Sequence, residues 1–137
     1  METMRGATGE MRAVPRIQAD RSVEEAAQLL TRSGSSAVVV VEGSGDDAAI
    51  LGLLTERDIF RAVAAEGPDI YNGCVWRITR HDYASLDIRS SDEDRVRMFC
   101  ERQVDHIALV DGLRLDSVLS LWDCARDVCA ASHGAGR

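Results

Sequence analysis

Two short runs carry side chains whose spacing suits chemistry. Thr55-Glu56-Arg57-Asp58 places a hydroxyl and a carboxylate three residues apart, just where an apolar run gives way to a helical pattern. A hydroxyl there accepts from the amides that open a helix, and the carboxylate sits within the positive end of the helix. The same amides can receive an anion. A carboxylate can also accept from two vicinal hydroxyls through strong charge-assisted bonds. Arg57 adds a planar five-donor fork that fits a phosphate, or a solvated arginine beside Glu56 and Asp58. Asp105-His106 is an acid–imidazole neighbour pair ahead of an apolar run. A hydrolytic triad would need a poised Ser or Cys as well, and no Gly-x-Ser-x-Gly turn occurs. The histidine therefore reads as a site-lining group, not a catalyst.

Other chemistries are excluded by residue supply. The 16 basic residues are all arginine. Schiff-base lysine chemistry and the Walker A phosphate loop both require a lysine. The cysteines, Cys74, Cys100, Cys124 and Cys129, form no Cys-x-x-Cys. With His81, His106 and His133 they give no convergent ligand spacing, so no metal is expected. A net charge of -7 and the lack of a basic stripe argue against nucleic acid. No apolar run approaches the ~20 residues that span a bilayer. Residues 1–13 lack the apolar stretch of a signal peptide, which places the chain in the cytoplasm with reduced thiols.

The elements that would position these residues occur twice. Ser22 with Glu25 is a capping box, followed by Val23, Ala26, Ala27 and Leu30 on one helical face, with Ser33-Gly34-Ser35 as the stop. Ala37 to Val41 is a β-branched run that reads as a buried strand. After the turn Glu42 to Asp47, Ala49 to Leu54 reads as its antiparallel partner. A helix from Thr55 carries Ile59, Phe60, Val63 and Ala64 until Gly67-Pro68. A short extended piece, including Ile17, precedes the set. Ser91 then stands to Ser22 as Phe99 to Leu30, Ile107 to Val38 and Val110 to Val41. The turn Asp111-Gly112 is shorter, and Ser117 to Ser120 falls on Gly52 to Thr55, with Asp123 on Asp58. A last helix carries Trp122, Ala125, Val128 and Cys129. Such a duplication is a fold-level signal. It divides the chain into a tail over 1–13, a first motif over 14–68, an ordered connector over 69–83, a second motif over 84–130 and a tail over 131–137.

The run Gly52-Leu53-Leu54-Thr55-Glu56-Arg57-Asp58 closely resembles the signature of the CBS domain, in which Gly-x-x-Thr/Ser-x-x-Asp joins the last strand to the last helix. Val75-Trp76-Arg77-Ile78-Thr79 is similar to the family's inter-motif segment, with Ile where Met is usual. His106 to Asp111 and Ser120-Leu121-Trp122-Asp123 are similar to its second copy. The resemblance covers about residues 14–130 and implies an α/β (α+β) fold. Two pseudo-symmetric βαββα units would be packed through their sheets as a stand-alone Bateman module.

The resemblance also implies a regulatory role and no catalysis. Such modules bind AMP, ADP, ATP, S-adenosylmethionine or NAD in the cleft between the motifs, dimerise, and signal to a partner protein. Carried over, Asp58 would accept from ribose and Thr55 would contact ribose or phosphate, with Arg57 at the phosphate. Ser36, Ala37 and Val38 would line an adenine, flanked by Ile17, Gln18 and Ala19. His106, Ile107, Ser120, Trp122 and Asp123 would repeat the arrangement. Ser117 in place of a glycine, and Leu121 and Trp122 in place of Glu56 and Arg57, depart from the pattern. They make the second site degenerate or suited to a less anionic ligand, with Trp122 able to stack on a base. An acidic chain favours AMP over a polyphosphate. The rival reading is a ligand-free scaffold. Surplus apolar residues on the last helix of each motif suggest a homodimer.

Overall fold

A computed structural model describes residues 14–45 and 48–135. The expected tail over 1–13 lies outside them. The chain divides into two compact units, one spanning Val14–Tyr83 and one beginning at Ala84. Each holds a three-stranded sheet and two helices.

In the first unit the order is β1 (Arg16–Gln18), α1 (Val23–Ser33), β2 (Ala37–Glu42), β3 (Ala49–Thr55) and α2 (Glu56–Glu66). Strand order is β1-β2-β3, with β1 parallel and β3 antiparallel to β2. The expected capping box opens α1: Ser22 Oγ accepts from Glu25 N at 3.1 Å, and Ser22 N donates to Glu25 Oε1 at 3.0 Å. That bond is the main reason the Glu25 carboxyl lies below its ordinary range. Gly34, with φ 68°, ends the helix in the left-handed region that glycine enters freely. Ser22→Ala is expected to cost about 1 kcal/mol, the usual worth of such a cap, read as a lower urea midpoint at unchanged slope. A midpoint equal to that of the wild type would show that the cap does not contribute.

Burial explains the β-branched run. Val38 and Val40 face the helices and pack with Ile17, Val23, Ala26, Leu30, Leu54, Ile59 and Val75. Val39 and Val41, on the other face of β2, are buried too. A strand covered on both faces loses the polar alternation of a half-exposed one. The connector is ordered as expected. Two 3-10 turns, Pro68–Asn72 and Val75–Arg77, place Ile70 and Val75 in the interior.

The second unit repeats the order as β4 (Ser85–Asp87), α3 (Asp92–Arg102), β5 (His106–Asp111), β6 (Arg114–Ser120) and α4 (Leu121–Ala135). The register confirms the inferred duplication: Gly52 pairs with Val40 as Ser117 pairs with Leu109. Both hairpins even bulge at the matching step, after Val40 and after Leu109. The core comprises Ala84, Phe99, Ile107, Leu109, Leu119 and Cys124. One boundary differs from expectation. α4 runs to Ala135, into the stretch read as a C-terminal tail, because Ala130 and Ala131 prolong a helix that nothing stops before Gly134. Each last helix also begins earlier than its apolar positions suggested, at Glu56 and Leu121, directly after the capping Thr and Ser.

Candidate functional site

β3 ends at Thr55 and α2 starts at the next residue, so the strand feeds its last side chain into the mouth of the helix. Thr55 is buried, and its Oγ1 accepts from Asp58 N at 3.1 Å. Thr55 N donates to Asp58 Oδ2 at 3.0 Å. The local capping reading of Thr-x-x-Asp is therefore met in full. The other carboxylate oxygen is also engaged. Asp58 Oδ1 accepts from Arg80 Nε at 3.0 Å, with the Asp58 side chain 9% exposed and that of Arg80 48% exposed. Arg80 was not among the residues expected at the site. Only its fold-dependent approach to Asp58 brings it there, and no spacing rule could have found it.

Arg80 belongs to a backbone strap on β3. Its amide donates to Leu53 O at 3.0 Å and its carbonyl accepts from Leu53 N at 3.1 Å. His81 Nδ1 lies 2.9 Å from Leu51 O, which requires a proton on that nitrogen, since the carbonyl can only accept. Thr79 Oγ1 donates to Val75 O at 2.7 Å. Gly52 lies beneath the strap. A Cβ there would stand 2.1 Å from Arg80 O. The signature glycine is thus needed for the close approach of the connector, a different reason from the ligand crowding inferred at its counterpart Ser117.

The remaining expected residues fall in three settings. Ile17, Val38 and Ile107 send their side chains into the helix-packed cores, so the apolar wall expected of Val38 and the flank expected of Ile17 are core surface. Any ligand contact by these three would come from their backbone. Ala37 is buried, and Ser36 O accepts from Glu56 N at 3.1 Å, pinning the start of α2 beside the start of β2. Gln18 Nε2 donates to Gly43 O, and Ala19 N to Val41 O at 2.9 Å, so both brace the first hairpin. Arg57 is exposed on the first turn of α2.

In the second unit, Ser120 Oγ accepts from Asp123 N at 3.0 Å, as Thr55 does from Asp58. Asp123 pairs with Arg126 on its own helix, where Asp58 pairs with the strap. Ser117 is buried and donates to Asp116 Oδ2 at 2.9 Å. Trp122 is 75% exposed, free of the core. Half-buried His106 has Nδ1 3.0 Å from Asp105 Oδ1. Burial, then the charges of Asp123 and Asp92, push the Asp127 carboxyl up. Burial, then Asp92 and Asp127, push the Cys124 thiol up. A thiol held protonated is a poor nucleophile and a poor metal ligand. Among the described residues, no group of three His, Cys, Asp or Glu side chains could hold a metal ion. Nor is any described helix long and apolar enough to cross a membrane.

Comparison with known proteins agrees with this geometry. Residues 10–65 match the family model of the CBS domain. No curated protein matches the chain by sequence. A CBS-domain protein from Agrobacterium tumefaciens superposes with a TM-score of 0.77 at 26% identity, covering 84% of each chain. A proposed signal-transduction protein with CBS domains from Burkholderia ambifaria gives 0.77 at 24% identity, covering 87% of this chain and 85% of that one. A hexameric CBS-CP12 protein from bloom-forming cyanobacteria gives 0.71 at 23% identity, covering 82% and 64%. With one unit matched by the family model and the other repeating its strand order, register and bulge, the chain belongs to the CBS-domain family as a tandem pair of CBS units.

Proposed function

We propose that this CBS pair is a cytoplasmic regulatory module that binds an adenosine compound, AMP before ATP, at the Thr55–Asp58 turn. It would pass the resulting change to a partner protein. The observation that carries the reading is the turn itself. It holds a buried threonine and a largely buried carboxylate at the amide-rich start of α2, with Arg57 on the same turn. Ribose hydroxyls suit the carboxylate, and a single phosphate suits the helix start and one arginine. The net charge of -7 works against a polyphosphate. Phe60 at 71% exposure and Trp122 at 75% are large apolar side chains left in water on the last helix of each unit, which supports a homodimer.

A thermal-shift series with AMP, ADP, ATP, NAD and S-adenosylmethionine tests this. A ligand at ~100 times its dissociation constant stabilises the native state by about 2.7 kcal/mol. AMP is expected to give that shift in the wild type and none in Asp58→Ala. Asp58→Asn, which keeps one acceptor, should fall between them. An AMP shift that survives Asp58→Ala would move the site elsewhere.

One observation favours a second reading, a scaffold without ligand. Asp58 and Asp123 are each already paired with an arginine of this chain. No shift with any compound would select it.

A further inference from the structure

We propose that Arg80 gates Asp58, so that occupation of the Thr55–Asp58 turn is coupled to release of the connector strap from β3. The inference rests on the ligand reading of that turn and adds its regulation. Both oxygens of Asp58 are engaged, one by Thr55 N and one by Arg80 Nε, each at 3.0 Å. A ribose hydroxyl can bind this carboxylate only by sharing or replacing one of these donors.

The two donors are not equivalent. Thr55 N is backbone at the junction of β3 and α2, next to buried Leu54 and Ile59. Arg80 is a long side chain, half exposed, and its guanidinium can turn into water at little cost. The ligand therefore replaces Arg80. That side chain is also one of the anchors of residues 79–81 on β3, which is an edge strand of its sheet. The other anchors are the Leu53–Arg80 backbone pair and the His81–Leu51 bond. Exchanging the Arg80–Asp58 bond for a ligand bond leaves the strap held by backbone and His81 alone. Coupling of this kind is reciprocal: whatever weakens the strap strengthens the ligand. The second unit lacks the device. Asp123 takes its arginine from its own helix, and position 117 carries a serine side chain where Gly52 admits a crossing backbone.

The test pairs a ligand-free measurement with a ligand titration on the full chain. Amide exchange at Leu53 and position 80 is followed in the wild type, Arg80→Ala, Arg80→Lys and Asp58→Asn, without ligand. Calorimetric titration with AMP follows for the wild type and both Arg80 variants. Arg80→Ala and Asp58→Asn are expected to speed exchange at both amides on the order of fivefold, the range for a partly exposed ion pair. Arg80→Ala is expected to bind AMP on the order of fivefold more tightly, with Arg80→Lys between it and the wild type. A merely structural Arg80 would leave AMP affinity equal or weaker in Arg80→Ala, and that result overturns the gate. Unchanged exchange in both Arg80→Ala and Asp58→Asn also overturns it, even if AMP binds the wild type. Faster exchange without AMP binding in any variant overturns the ligand reading and the gating, and leaves the strap anchor standing.

Discussion

Gly52→Ala is expected to destabilise the first unit by about 3 kcal/mol, at the upper end of overpacking costs. The added Cβ would lie 2.1 Å from Arg80 O, 2.7 Å from Thr79 Cγ2 and 2.9 Å from Arg80 C. Two of these three atoms are backbone. That backbone is fixed from both sides of the residue, since Arg80 N and O both bond to Leu53. Relief requires lifting the strap, which breaks those bonds and pulls on the Arg80–Asp58 pair. A rotamer change cannot relieve the clash. The repeat supplies its own control. Ser117 occupies the matching position opposite Leu109 and already carries a Cβ. Ser117→Ala should cost only about 1 kcal/mol, for the lost hydroxyl bond to Asp116. Urea denaturation of both variants measures the contrast. Equal losses at the two positions would sink the strap account of the glycine.

Leu54→Ala is expected to cost a similar amount, about 3 kcal/mol, by the opposite mechanism. Leu54 is wholly buried in the first core, among residues that include Val38, Val40, Ile59 and Val75. Neighbouring strands and α1 frame the site, so it cannot collapse around a smaller side chain, and a cavity remains. A typical domain has only 5–15 kcal/mol of total stability, so this one change removes a large share. Leu54 also precedes Thr55, so a loosened core would disturb the turn next to it. The lowered denaturation midpoint should therefore be accompanied by faster exchange at the Asp58 amide, which Thr55 Oγ1 caps. A loss under 1 kcal/mol would mean that the core repacks, contrary to its close framing.

Local physics alone determined much of this protein. The caps at Ser22 and Thr55 were readable because a hydroxyl and a carboxylate three residues apart satisfy the same helix start that they signal. The β2 run was readable because β-branched residues without polar alternation suit a strand buried on both faces. The duplication was readable because Ile107, Val110, Ser120 and Asp123 repeat residue types at nearly fixed offsets, and the family signature rests on that register.

Tertiary structure alone decided the partners of these residues. Arg80 meets Asp58 from 22 positions away, a pairing that neither helical nor strand periodicity encodes. Gly52 read as a ligand-site glycine until the strap was seen crossing it. Ile17, Val38 and Ile107 have the same apolar character whether they wall a ligand or fill a core, and only the side of the sheet that the helices cover separates the two. α4 outran its expected end because small alanines signal neither a helix stop nor its absence. Spacing along a chain specifies the bonds a residue can make within a turn. Which long-range group takes the remaining valence of Asp58 depends on where the connector crosses β3, and that is a property of the folded backbone.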